Sequence, residues 1–105
     1  MTDNNIIRKK IKNAVRAVEP DAQVILYGSR ARGNPHEHSD WDVLILLNRQ
    51  NVNMKDEQFF RHLLYTVELE TGEIISTYVY STNEWNGKMS VTPLYENVKK
   101  DGVYL

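Results

Sequence analysis

Apolar side chains recur at Ile7, Ile11, Ala14, Val15 and Val18, a three- and four-residue spacing that predicts an amphipathic helix over residues 5–18. Arg8, Lys9, Lys12 and Arg16 fall on its other face, and Pro20 with Asp21 ends it. The period then changes. Residues 23–27, "QVILY", are a short β-rich run that stops at Gly28 and read as a buried strand. Residues 30–39 read as a loop, or as a short helical turn followed by a loop, broken by Gly33, Asn34 and Pro35. Residues 41–47, "WDVLILL", are the second strand.

In the second half, residues 54–72 carry Phe59, Phe60, Leu63, Leu64 and Val67 as one stripe, with Gly72 as the residue that stops the helix. Residues 73–81 are rich in β-branched and aromatic side chains and predict a third strand. Its inward face is either Ile74, Ser76, Tyr78 and Tyr80 or Ile75, Thr77 and Val79. Ser81 with Glu84 has the form of a capping box, so a short helical turn starts there. Thr92 as N-cap, Pro93 as first helical residue and Gly102 as terminator frame a last helix. Leu94, Tyr95, Val98, Val103, Tyr104 and Leu105 make the C-terminus apolar, either as the last piece of the core or as a docking element. The order helix, strand, loop, strand, helix, strand, helix predicts an α/β (α+β) fold, a small mixed sheet flanked by helices. At 105 residues the expectation is a single domain spanning 1–105.

Composition narrows the function classes. The apolar share of 41% and charged share of 26% are those of an ordinary globular chain. A net charge of −1, from 13 basic and 14 acidic residues, argues against nucleic-acid binding through a broad basic surface. With no cysteine there is no disulfide framework and no thiolate metal site. No signal-peptide core and no run of membrane-spanning length is present, so a cytoplasmic protein without a membrane partner is expected.

The chemistry concentrates in residues 27–46, "YGSRARGNPHEHSDWDVLIL". On a strand, Asp40 and Asp42 project to one face while Trp41 and Val43 project to the other. Two neighbouring, partly buried carboxylates repel each other, and a divalent cation removes that conflict. Oxygen ligands suit Mg²⁺ or Mn²⁺, held by one or two carboxylates plus substrate phosphates. Alone, Asp-x-Asp is a weak signal, more often read as an acid at the strand's exposed start followed by one facing solvent. The preceding turn adds to it. Gly28 permits a tight turn and close approach of a phosphate. Ser29 offers a hydroxyl and an N–H, and a helical turn starting there favours an anion. Arg30 and Arg32 have the donor geometry for phosphate oxygens. A phosphate-binding turn joined to a metal-binding pair is far more specific than either half.

"GSRARGNPHEHSDWD" resembles the signature of the DNA polymerase beta-like nucleotidyltransferase superfamily: Gly-Ser, about ten residues, then Asp-x-Asp. The stretch is especially similar to the minimal nucleotidyltransferase (MNT) proteins of bacteria and archaea. The helix before it and the order of elements after it agree. The resemblance implies the polymerase beta-like palm fold. It implies that Gly28 and Ser29 contact a nucleoside triphosphate, and that Asp40 and Asp42 are catalytic and hold two Mg²⁺ ions. An acceptor hydroxyl then attacks the α-phosphorus, ATP being the expected donor. Small size points to a protein acceptor, since larger antibiotic-modifying relatives carry an extra substrate domain. MNT proteins also pair with a HEPN-domain protein as toxin–antitoxin systems, the MNT chain being the antitoxin. Homo-oligomerisation stays open.

The superfamily's third carboxylate has no evident counterpart. Neither face of the third strand carries an acid, so Ser76 or Tyr78 occupies the equivalent place. Glu68, Glu70 and Glu73 precede the strand and read as solvated glutamates at the helix end. Two readings follow: a Mg²⁺-dependent nucleotidyltransferase, or a catalytically weak nucleotide-binding module that acts by binding a partner. His36 and His38 lack further ligands nearby and read as solvated loop residues. Phe59, Phe60, Tyr65, Tyr78 and Tyr80 read as core rather than as a base-stacking platform.

Overall fold

The computed structural model describes residues 4–32 and 40–105. In chain order the elements are α1 (Asn4–Val18), β1 (Gln23–Tyr27), α2 (Ser29–Arg32), β2 (Trp41–Leu47), α3 (Met54–Thr71), β3 (Ile75–Ser81), α4 (Thr82–Asn86), a 3₁₀ turn (Lys88–Val91), α5 (Pro93–Asp101) and β4 (Val103–Tyr104). The strands form one mixed sheet in the order β3-β2-β1-β4. β1 runs antiparallel to both β2 and β4, while β2 and β3 are parallel and joined through α3. The parallel pair needs that crossover; the antiparallel pairs do not.

Alternation along β2 sends its residues into two cores. Trp41, Val43, Ile45 and Leu47 meet Ile7, Ile11 and Val15 of α1 and Phe60, Leu64 and Val67 of α3. Leu44 and Leu46 point the other way, onto Ile25, Tyr27, Trp85 of α4 and Val98 of α5. A strand covered on both faces must be apolar almost throughout, and apart from Asp42 this one is. Helix boundaries are set by local chemistry. The Asn53 side chain accepts from the Asp56 N–H at the start of α3, and the Asp56 carboxylate accepts in turn from the Asn53 N–H. Gly72 ends the helix at φ 75°, its N–H bonded to the Glu68 carbonyl. Ser81 accepts from the Glu84 N–H and Thr92 from the Tyr95 N–H, with Pro93 in the first turn of α5.

The expected core is corrected at several positions, and two open alternatives are resolved. The α3 stripe is narrower than five residues: Phe60, Leu64 and Val67 are buried, but Phe59 is 51% exposed, edge-on to Phe60. Adjacent helical residues lie about 100° apart, so both phenylalanines cannot face one core. Tyr65 and Tyr78, expected inside, are also on the surface, as is Val18 on α1. The apolar C-terminus is a piece of the sheet, since Val103 and Tyr104 pair with Leu26 and Ile25, and the Leu105 N–H donates to the Val24 carbonyl. Of the two faces left open for β3, Ile75, Thr77 and Val79 are the buried set. No described helix is long and apolar enough to cross a membrane.

The core assignment separates two variants. Ile11 is fully buried, so Ile11→Ala is expected to cost about 2–5 kcal/mol in urea denaturation. Phe59→Ala, which removes a half-exposed ring and its edge contact with Phe60, is expected to cost less, about 0.5–1.5 kcal/mol.

Candidate functional site

The site forms where β1 ends beside the start of β2. Tyr27 lies in register with Asp42. The chain then turns at Gly28, whose φ of 76° lies in the left-handed region. A Cβ there would stand 2.3 Å from Asp42 Oδ2, so the turn passes directly over the carboxylate only because Gly28 has no side chain. The Gly28 carbonyl accepts from the Ala31 and Arg32 N–H groups, both at 3.1 Å, which starts the single turn of α2. Ser29, half-buried, is its first residue.

Asp40 and Asp42 share a face of β2, with Asp40 exposed and Asp42 half-buried. Ser76 of β3 is opposite Asp42 in the parallel register, and its hydroxyl donates to Asp40 Oδ2 at 3.2 Å. Burial raises the Asp42 carboxyl above its ordinary pKa of 3.8, the Asp40 charge raises it further, and Arg32 opposes both. The Tyr27 phenol is raised too, by burial first and then by Asp42. This end of the sheet therefore carries negative charge short of compensation. Hard oxygen donors with such a deficit fit a divalent cation. Among the described residues no group of three His, Cys, Asp or Glu side chains forms, so Asp40 and Asp42 would be the ligands the described residues supply.

The two arginines diverge. Arg30 lies over the Trp41 ring at 4.9 Å and its Nη2 is 3.5 Å from Glu73 Oε2, on the side of the sheet away from Asp42. Arg32 pairs with Asp101 Oδ2 at 3.0 Å, and its charge is felt at Asp42. The three glutamates before β3 are all engaged: Glu68 Oε2 accepts from the Ile75 N–H at 3.0 Å, Glu70 pairs with Lys10, and Glu73 with Arg30. Tyr78 follows Ser76 on the carboxylate face. His36 and His38 lie outside the described residues. The sequence reading missed Tyr27 and Asp101. Tyr27 is signalled by its place before Gly28, whereas nothing local marks Asp101, which α5 brings back to Arg32.

An acid whose pKa is raised on folding costs nothing below its unfolded value and an increasing amount as pH climbs through its folded value. With chelator present, Asp42→Asn is therefore expected to raise the melting temperature at neutral pH, a gain that fades as pH falls toward 3.8. Gly28→Ala should cost about 1–2 kcal/mol from the left-handed backbone alone, and more from the collision with Asp42. Ser29→Ala should cost less. In an Asp42→Ala background the Gly28→Ala penalty should shrink, a coupling that a double-mutant cycle of thermal melts measures directly.

With this geometry in view, comparisons with known proteins agree in kind. The family model described as nucleotidyltransferase domain matches residues 8–104. A solved toxin–antitoxin structure with AMP-PNP is similar at TM-score 0.67 and 18% identity, over 91% of this chain and 69% of that one. A Sulfolobus solfataricus protein inferred to be a nucleotidyltransferase is similar at TM-score 0.57 and 26% identity, over 94% and 76%. A mutant of the toxin–antitoxin MntA-HpeT is similar at TM-score 0.60 and 14% identity, over 98% and 71%. No curated protein matches the chain in sequence. Across nearly its full length, this chain belongs to the nucleotidyltransferase domain family.

Proposed function

We propose that this chain transfers a nucleoside monophosphate, AMP from ATP, to a hydroxyl of a protein acceptor, as the antitoxin of a HEPN/MNT toxin–antitoxin pair in the cytoplasm. The observation that carries the reading is the fit of the Gly28 backbone against the Asp42 carboxylate, which joins a side-chain-free turn and an acidic pair in one place. The family match supports the transferase class. Similarity to a toxin–antitoxin structure with AMP-PNP supports the nucleotide and the partner.

In the reaction the acceptor oxygen bonds to the α-phosphorus as the bond from that phosphorus to the α,β-bridging oxygen breaks. Pyrophosphate departs with the bond's electron pair, and the acceptor proton passes to solvent or a base. Mg²⁺, with Mn²⁺ as substitute, supplies positive charge to the phosphate and acceptor oxygens when bound by Asp40 and Asp42. Gly28 lets the β- and γ-phosphates approach the backbone, Ser29 donates to them, and Arg32 adds charge on the leaving side. β1 and its turn lie on one side of Asp42, β3 on the other. In-line displacement puts entering and leaving oxygens on opposite sides of phosphorus. The acceptor therefore enters from β3.

There it meets Ser76 rather than a carboxylate. A serine hydroxyl already donating to Asp40 is a poor proton acceptor, and general-base assistance is worth about 10² to 10⁴ in rate. The same observation favours the second reading, a nucleotide-binding module that restrains its partner by contact.

The assay is transfer of label from α-labelled ATP to protein, with the chain alone and with the product of the adjacent gene. Slow transfer by the parent, none by Asp40→Asn or Asp42→Asn, and faster transfer by Ser76→Asp or Tyr78→Asp are expected. In calorimetry, Mg²⁺-dependent binding of a non-hydrolysable ATP analogue should vanish in both asparagine variants. No label under any condition, with partner binding that survives Asp42→Asn, would leave the binding module as the function.

A further inference from the structure

The net charge of −1 conceals a segregation. α1 holds five of the 13 basic residues, Arg8, Lys9, Lys10, Lys12 and Arg16, and none of the 14 acidic ones. The rest of the chain, with eight basic residues against 14 acidic, carries −6. Helical residues advance about 100° each, so Asn5, Arg8, Lys9, Lys12 and Arg16 share one arc of about 100°, beside the buried stripe of Ile7, Ile11 and Val15. Lys10 falls outside that arc and pairs with Glu70 at 2.6 Å. Among the described residues, none of the four cations on the arc has an ion-pair partner. From Arg8 to Arg16 they run about 12 Å along the helix axis, at a rise of about 1.5 Å per residue.

A cavity of about 290 Å³ is set into this arc, lined by Asn5, Arg8, Lys9 and Lys12 and closed by Leu105, which packs against the larger core. No acidic side chain lines it, and a terminal carboxylate at Leu105 would still face three cations. Arg8 and Lys12 are half-buried, and the Arg8 Nε is shut off from solvent with no hydrogen-bond acceptor. Withdrawing a cation from water without a counter-charge is unfavourable, and buried charges are ordinarily paired. An anion from outside the chain would offset that cost here.

The composition of the arc selects the anion. It holds no apolar and no aromatic side chain. Protein interfaces centre on aromatic and apolar anchors and keep charge at the rim. A phosphodiester strand requires only cations and polar donors along a line. We propose that α1 binds the phosphate backbone of a nucleic-acid strand, with one phosphate seated in the cavity between Arg8 and Lys12 and its neighbours held by Lys9 and Arg16. Bases are not read, since the arc offers nothing for them to stack on. A narrow stripe is compatible with the low net charge, which speaks against a broad basic surface. α1 covers the face of the sheet occupied by Trp41 and Val43, opposite to that of Asp42, so this surface is separate from the acidic pair and independent of the transfer reading.

The probes are fluorescent oligouridylate and oligothymidylate strands of equal length and an acidic peptide of matched charge, titrated against the full chain at several salt concentrations. Both strands should bind at low salt, with log K falling against log salt at a slope of about −3, as for four neutralised phosphates of a single strand. Lys9→Gln, Lys12→Gln and Arg16→Gln should each weaken binding severalfold and reduce the slope by about 0.7, and Arg8→Gln/Lys12→Gln/Arg16→Gln should abolish it. Lys10→Gln removes the same charge from the other side of the helix and should bind nearly as the parent does. If the triple variant melts early, the exposed Lys9 and Arg16 decide instead. Equal affinity for the two strands assigns the contact to phosphate alone, and a preference for oligouridylate adds the 2′-hydroxyl. No binding of either strand at low salt overturns the proposal. So does a loss in Lys10→Gln as large as that in Arg16→Gln, which would be an effect of net charge only, or tighter binding of the acidic peptide, which would make α1 a protein-docking surface. Binding of ATP·Mg²⁺ is measured separately: its absence in the parent would sink the transfer reading and leave this one standing.

Discussion

Everything at the working end of this protein depends on one contact, the passage of the Gly28 backbone over the Asp42 carboxylate. It requires β1 to end where it does, with Tyr27 in register with Asp42, and it requires a residue without a Cβ in the left-handed region. It also creates the electrostatic problem that defines the site. Covering Asp42 removes water from a carboxylate that already has Asp40 as its neighbour, and both effects push its proton affinity up. A turn that shields an acid this way is unfavourable in itself, and a positive charge beside the carboxylate would offset that cost.

The two cores hold that contact in place. Alternation along β2 assigns Trp41, Val43, Ile45 and Leu47 to the larger core and leaves Asp42, Leu44 and Leu46 on the other face. One strand thus carries stability on one side and chemistry at the start of the other. α2 repeats the division. Arg30 and Arg32 are two residues apart, about 200° around a helix, so they cannot serve the same face. Arg30 locks onto Trp41 and Glu73, and Arg32 turns toward Asp42 and Asp101. Arginines that read alike in the sequence have separate tasks for a purely geometric reason.

What was legible in the chain follows the same logic. The strands at 23–27 and 41–47 are bounded by residues whose chemistry is local, Gly28 and the Asp40 start, and the structure has them at those limits. The caps at Gly72, Ser81 and Thr92 are equally local. The failures are all non-local. Phe59 and Phe60 cannot be told apart until the angle at which α3 meets the sheet is known. The faces of β3 both lack charge, so only its parallel register with β2 shows that Ser76 joins the acidic pair. β4 is too short for any period, and it exists because α5 returns the chain to β1.

Ser76 shows how stability and chemistry pull against each other at a single position. Its hydroxyl gives Asp40 a hydrogen-bond donor without adding charge to a pair that already repels. In the transfer reading proposed above, a carboxylate in its place would supply a proton acceptor, but as a third negative charge it would raise Asp42 further and destabilise the metal-free fold at neutral pH. Ser76→Asp is therefore expected to melt lower than the parent in chelator, and cation should restore more stability to the variant than to the parent, because binding to the folded state alone stabilises by mass action. Serine adds no charge beside the repelling pair, and in the proposed transfer the same choice leaves proton removal without its nearest base.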